Sequence, residues 1–117
     1  MWIMIAGPYS SNDATPEGRA RNLAALNRVA LAVFDRGHVP VIGLNLALPL
    51  AALAPDRAAE VVMPLSLALV ERCDACLRVG GASTGADAEV AAFRAAAKPV
   101  YLSLDDLPAV TAHPDGA

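Results

Sequence analysis

The chain has 117 residues, which suits a single domain, and a composition of 56% hydrophobic against 18% charged residues excludes disorder over most of its length. The formal net charge is −3, with one tryptophan, two tyrosines and two phenylalanines, so no basic or aromatic-rich surface for duplex nucleic acid is present. The longest apolar stretch, residues 39–54, is shorter than the ~20 residues that span a bilayer. We therefore expect one soluble, cytoplasmic domain over residues 1–117, without a membrane partner.

The first predicted strand is the apolar run Trp2–Ala6, which ends at the turn-forming pair Gly7-Pro8. Thr15 is a favourable N-cap with Pro16 behind it, so a long helix is predicted from there to Arg36, where Gly37 ends it. The further predicted elements are strands at 38–43, 75–79 and 99–102 and helices at 64–71 and 85–97. Residues 113–117 are expected to be frayed.

Two segments between these elements are ambiguous. Leucines alternate from Leu44 to Leu50 as in a strand, yet Pro49 interrupts the pattern, so Leu44–Ala54 is a leucine-rich flap or a short helix. Asp56 is a candidate cap for the next helical segment, which Pro64 should kink or restart.

Strands that alternate with helices predict an α/β fold, here a small doubly wound parallel sheet of four to five strands with flanking helices. In such a sheet the ligand lies at the carboxyl ends of the strands, where the strand order reverses. Three loops meet there: Gly7–Asp13, Gly43–Asn45 and Gly80–Thr84.

The most informative segment is Gly80–Phe93, in which Ser83 and Thr84 stand where a helix begins. Their hydroxyls, beside unpaired backbone N–H groups, make this helix start a candidate anion site. Asp87 has two interpretations, a ligand of the substrate or the last residue of a capping box that Thr84 opens.

Glu89 lies on the other face of the same helix. At ~100° per residue, Asp87, Arg94 and Lys98 form a charged stripe, and Glu89 falls roughly opposite to them, towards Phe93. A carboxylate on an apolar face is costly unless it has a use. Glu89 is therefore either a functional group or a structural carboxylate bonded to a nearby loop.

Other chemistry-bearing residues are weaker candidates. Cys73 and Cys76 have no second pair and no nearby histidine, so buried free thiols are favoured over a redox pair or half a zinc site, and no metal or cofactor is expected. Tyr9 follows the first strand, where an aromatic ring either stacks on a base or anchors the loop.

Taken in order, several motifs resemble the nucleoside 2-deoxyribosyltransferase-like superfamily, which includes deoxyribosyltransferases and nucleoside 5′-monophosphate N-glycosidases. The resemblance covers most of residues 3–102, and it is closest to a short bacterial branch. Its motifs are Ile5-Ala6-Gly7-Pro8-Tyr9, Gly37-His38-Val39-Pro40, Cys73-Asp74-Ala75, Ser83-x-Gly85-x-x-x-Glu89 and Lys98-Pro99-Val100.

The resemblance implies that Glu89 attacks the anomeric carbon of a (deoxy)ribosyl group, and that the start of its helix helps to keep it ionised. It also implies a 5′-phosphate, because the monophosphate N-glycosidases tend to have serine six residues before the glutamate, where the deoxyribosyltransferases have an acid. The expected substrate-binding residues are Gly7, Pro8, Tyr9, Ser83, Thr84, Gly85 and Asp87.

Two positions depart from the family pattern. The first strand reads Trp2-Ile3-Met4 where a tyrosine is usual, and Ser66 stands near the place of an aspartate that assists the leaving base. Asp74 is expected to have a structural role. Asp13 or Asp87 is therefore the candidate for a different catalytic acid.

Three functions follow from these motifs: hydrolysis of a nucleoside 5′-monophosphate, transfer between bases, or nucleotide binding without catalysis. The leucines of residues 44–53 also predict a homo-oligomer, in which a neighbouring subunit meets this apolar patch.

Overall fold

The computed structural model describes residues 1–11 and 13–110 and forms one α/β unit. The expected tail at 113–117 lies outside the described residues. The strands are β1 (Trp2–Ala6), β2 (Val39–Val41), β3 (Ala75–Arg78) and β4 (Val100–Tyr101). The helices are α1 (Pro16–Asp35), α2 (Gly43–Leu53), α3 (Ala58–Val70) and α4 (Thr84–Ala95), and short 3-10 turns lie at Pro55–Arg57 and Leu104–Asp106.

All four strands are parallel, in the order β2-β1-β3-β4. Strand β1 is central and pairs with β2 on one side and β3 on the other, so that Met4 stands beside both Val41 and Cys76. The chain therefore reverses its direction of winding between β1 and β3, as in a flavodoxin-like sheet. The predicted doubly wound parallel sheet is confirmed, with four strands.

Helices cover both faces of this sheet because successive strand residues point to opposite sides. Ile3 and Ile5 of β1 pack with Leu26 and Val33 of α1 in one core cluster. Met4 of β1 lies in the other cluster, whose helical members include Val70 of α3 and Val90 and Phe93 of α4. Each face thus has its own apolar core. The carboxyl ends of the strands lie between these two cores.

The two ambiguous segments are helical. Residues 43–53 form α2, the short-helix alternative, with Pro49 inside it. Helix α3 continues through Pro64, so of the two predicted alternatives the restart is wrong, and Arg57 rather than Asp56 precedes its first turn. Extensive packing of α2 on α3 holds both prolines in helices that local preference disfavours.

Within the described ranges, no helix is both long and apolar enough to cross a membrane.

Candidate functional site

A pocket of about 240 Å³ opens at the carboxyl ends of β1 and β3, where the strand order reverses. It is just below the roughly 300–1,000 Å³ typical of small-molecule sites, a size that suits a small metabolite rather than a polymer. Four chain segments contribute: the loop after β1, the start of α2, the middle of α3 and the first turns of α4. The lining residues are Gly7, Tyr9, Ser10, Ser11, Leu44, Val62, Met63, Ser66, Ser83, Thr84, Gly85, Ala86 and Glu89.

Most of the residues singled out in the sequence meet in this pocket. Those lining it are Gly7, Tyr9, Ser83, Thr84, Gly85 and Glu89. Pro8 and Asp87 lie outside it. Pro8 is buried against Gly80, and it lines a separate cleft next to α1.

The first turn of α4 faces the pocket with donor groups. Ser83 is the N-cap, and its buried hydroxyl accepts a hydrogen bond from the backbone N–H of Ala86 at 3.1 Å. The helix therefore begins at Thr84, one residue before the prediction, and the capping box opened by Thr84 is wrong. The hydroxyl hydrogen of Ser83 and the first N–H groups of the helix, those of Thr84 and Gly85, have no acceptor within the helix. Uncharged hydrogen-bond donors of this kind at a helix start are of the type that anions bind.

Glu89 lies in the second turn of α4, half-buried on the pocket side. Burial raises the pKa of its carboxyl to about 7, against the opposing effects of a hydrogen bond with Ser66 and the positive charge of Arg78. Burial thus outweighs the influences that favour the charged form, and the predicted help from the helix start is expected to be small, because the helix dipole acts mainly within the first turn. Near neutral pH the carboxyl is divided between its charged and neutral forms.

Arg78, a residue without a role in the sequence analysis, lies beneath this helix. It is the last residue of β3, and strand alternation places it on the α4 side of the sheet. Its guanidinium donates to the carbonyls of Val79 and Gly81, and it lies 3.5 Å from the carboxylate of Asp87. The Arg78 side chain is 14% exposed and that of Asp87 71% exposed, so this pair holds the β3–α4 turn and leaves Asp87 at the surface.

The loop after β1 is held against α1. The carbonyl of Tyr9 accepts a hydrogen bond from the Asn22 side chain at 2.6 Å, and the guanidinium of Arg19 lies 5.9 Å from the centroid of the Tyr9 ring. Gly7 is required at the start of this loop, because a Cβ there would lie 2.9 Å from the carbonyl oxygen of Val79. These contacts hold the loop that brings Tyr9 to the pocket.

The remaining candidate acids lie elsewhere. Asp13 accepts hydrogen bonds from Thr15 and pairs with Arg21, and the bonds to Thr15 are the main reason why its pKa is lowered. Asp74 accepts a hydrogen bond from the backbone N–H of Trp2 at 2.8 Å, which ties β1 to β3 and agrees with its predicted structural slot. Among the described residues that line the pocket, Glu89 is the one carboxylic acid.

Several of the lining residues were not predicted as site residues. Ser10 and Ser11 follow Tyr9 directly, so their position after β1 was the signal for them. Met63 and Val62 come from α3 and carry no local signal, because their part in the pocket depends on how the α2–α3 pair packs. Ser66 of the same helix was noted only through the family resemblance, near the place of an aspartate. For Arg78 the signal is one cation at the end of an otherwise apolar strand.

Both cysteines are free and buried, as expected. Burial raises the pKa of Cys76 to about 12 and also raises that of Cys73, which leaves both thiols neutral. In residues 1–11 and 13–110 no three His, Cys, Asp or Glu side chains group as a metal site would require.

Comparisons with models of protein families, with curated proteins and with solved structures find no match to this chain.

Proposed function

We propose that this protein cleaves the N-glycosidic bond of a (deoxy)nucleoside 5′-monophosphate, with Glu89 as the nucleophile. The observation that carries the proposal is one pocket that joins a half-buried carboxyl group to a hydroxyl-lined helix start. The motifs shared with the nucleoside 2-deoxyribosyltransferase-like superfamily support it, since they supply the same glutamate and serine.

In the proposed reaction a carboxylate oxygen of Glu89 forms a bond to the anomeric carbon as the bond from that carbon to the base nitrogen breaks. The base leaves with the electron pair and takes up a proton. Water then attacks the same carbon, gives up a proton and frees Glu89, which yields a (deoxy)ribose 5-phosphate. Two displacements at one carbon retain its configuration, as in retaining glycosidases.

A phosphate group suits the other end of the pocket. Ser10, Ser11, Ser83 and Thr84 offer hydroxyl groups, and α4 directs its first N–H groups towards the same space. These donors are neutral, and Ser83 adds no negative charge where an acid would repel the phosphate. The free nucleosides that deoxyribosyltransferases use lack the group that this end would bind.

A second function, nucleotide binding without catalysis, is favoured by one observation. Glu89 has no second carboxylic acid beside it among the described lining residues, so the departing base has no obvious proton donor. In that case Glu89 accepts a hydrogen bond from a ribose hydroxyl, and the helix start still holds the phosphate.

A panel of substrates separates these functions. Each common ribo- and deoxyribonucleoside 5′-monophosphate, and each matching nucleoside, is incubated with the protein, and free base is measured by chromatography. We expect base from monophosphates alone. Release from nucleosides only after an acceptor base is added would indicate a transferase, and binding without release would indicate a binding module.

We also propose that the protein is a homo-oligomer whose interface includes the outer face of α2. This helix contains no charged residue, and Leu46, Leu50 and Leu53 are exposed on it, the last at 85%. Leu44 of the same helix lines the pocket, so a subunit bound to α2 would lie close to the substrate.

A further inference from the structure

Ser66 stands where three helices meet around the pocket. It lies in α3, is 4% exposed and lines the pocket together with Glu89 of α4. It also lowers the pKa of the Glu89 carboxyl group, as a hydrogen-bonding hydroxyl close to that carboxyl would. A hydrogen bond from this hydroxyl would come from outside α4 and would restrain the end of the Glu89 side chain, which the helix backbone alone leaves free to rotate.

The space for this hydroxyl depends on the first residue of α2. A Cβ atom at Gly43 would lie 2.2 Å from the Ser66 oxygen and 3.0 Å from its Cβ. The first contact is far too close, so any side chain at 43 must displace the hydroxyl or separate α2 from α3. Gly43 is buried and α2 packs closely on α3, so separation of the two helices is costly and the hydroxyl is the group that must move.

We propose that Ser66 is a positioning residue that orients the carboxyl group of Glu89, and that Gly43 is required because it leaves space for the Ser66 hydroxyl. The reaction that Glu89 then performs rests on the function proposed above, whereas the contact itself does not. A hydrogen bond donated by Ser66 stabilises the charged carboxylate more than the neutral acid, so its loss must shift the titration of Glu89 upwards.

The test is the titration of Glu89 followed by NMR in protein labelled with ¹³C at the glutamate carboxyl groups. The chain has four glutamates, and Glu89→Gln assigns the signal of interest. We expect Ser66→Ala to move the midpoint of Glu89 above its wild-type value. Ser103→Ala is the matched control, since it removes another serine hydroxyl, at the 3-10 turn after β4. It should leave the midpoint unchanged.

Gly43→Ala tests the second half of the proposal, and it also serves if Ser66→Ala does not fold. When Ser66 is present, Gly43→Ala should raise the titration midpoint of Glu89. In the Ser66→Ala background the same change should leave that midpoint unaltered. The other groups that act electrostatically with Glu89, Arg78 and the thiols of Cys73 and Cys76, are unchanged in every variant.

A wild-type midpoint in folded Ser66→Ala, or in folded Gly43→Ala if the former does not fold, would overturn the proposal. An additional shift by Gly43→Ala in the Ser66→Ala background would overturn the role given to Gly43. The measurement needs no substrate. A shifted midpoint in a protein that releases no base would therefore contradict the proposed function and leave the role of Ser66 intact.

Discussion

Glu89 illustrates what one residue's place in a sequence can and cannot predict. Helical spacing places it opposite the charged stripe of α4, and the structure shows it beside Ala86 and Val90, both buried. Its electrostatic state was not predictable, because it depends on the depth of burial and on Ser66 and Arg78, which come from distant parts of the chain. The expectation that the helix start helps to keep it ionised took no account of these groups.

The raised pKa of Glu89 makes the stability of the protein depend on pH. Below its ordinary pKa of 4.5 the group is protonated in both folded and unfolded chains and contributes nothing. As pH rises to about 7 the folded protein retains the proton longer, so stability falls. Glu89→Gln has no carboxyl group that titrates at this position. The free energy of unfolding of this variant, compared with that of wild type, should therefore increase by about 3 kcal/mol between pH 4 and pH 8. Urea unfolding of both proteins at pH 4 and at pH 8 measures this difference in stability.

Glu71→Gln is the matched control for that experiment, because Glu71 is exposed at the end of α3. It should show no comparable change with pH. An equal difference between Glu89→Gln and wild type at both pH values would contradict the account of the buried carboxyl group.

At the scale of elements, both ends of α1 were predicted and the packing of α2 on α3 was not. Thr15 caps α1 through a 3.0 Å bond from the N–H of Gly18, and Gly37 adopts the left-handed φ of +91° after that helix, as their types indicate. Helix α2 escaped a firm prediction, because its leucines alternate as in a strand while Pro49 argues against one, and tertiary packing decides between the two.

The start of α4 provides a test that leaves the helix intact. Aspartate and asparagine both cap helices about as well as serine, so neither change at Ser83 should weaken α4. Ser83→Asp places a negative charge beside the expected phosphate and should weaken binding of a nucleoside 5′-monophosphate at least about tenfold. Ser83→Asn should bind nearly as wild type does. Calorimetric titration measures both, and equal affinities for the two variants would count against a phosphate at this position.

At the scale of the molecule, the alternation of strands and helices was enough to predict the parallel sheet and the edge that carries the pocket. The composition of that pocket was only partly predictable. Ser83 and Glu89 come from one continuous motif, whereas Ser66 reaches the pocket only through the packing of α2 on α3 and of α3 on α4.

The proposed oligomer makes a prediction at the same scale. Leu50→Lys puts a charge on the outer face of α2 and should shift the protein towards monomer in sedimentation at micromolar concentration. Leu31→Lys makes the same change at an exposed leucine of α1 and should leave the assembly as in wild type. A wild-type protein that sediments as a monomer would contradict the proposal.

The central claim, that Glu89 is a nucleophile, is tested most directly by the pH dependence of base release. Wild type and Glu89→Gln, with Glu71→Gln as control, are compared on a deoxyribonucleoside 5′-monophosphate from pH 5 to 9. We expect release by wild type and the control to rise through a pKa near 7, as the carboxyl group ionises, and to be abolished in Glu89→Gln. Release that persists in Glu89→Gln at the wild-type rate would show that another group performs the chemistry.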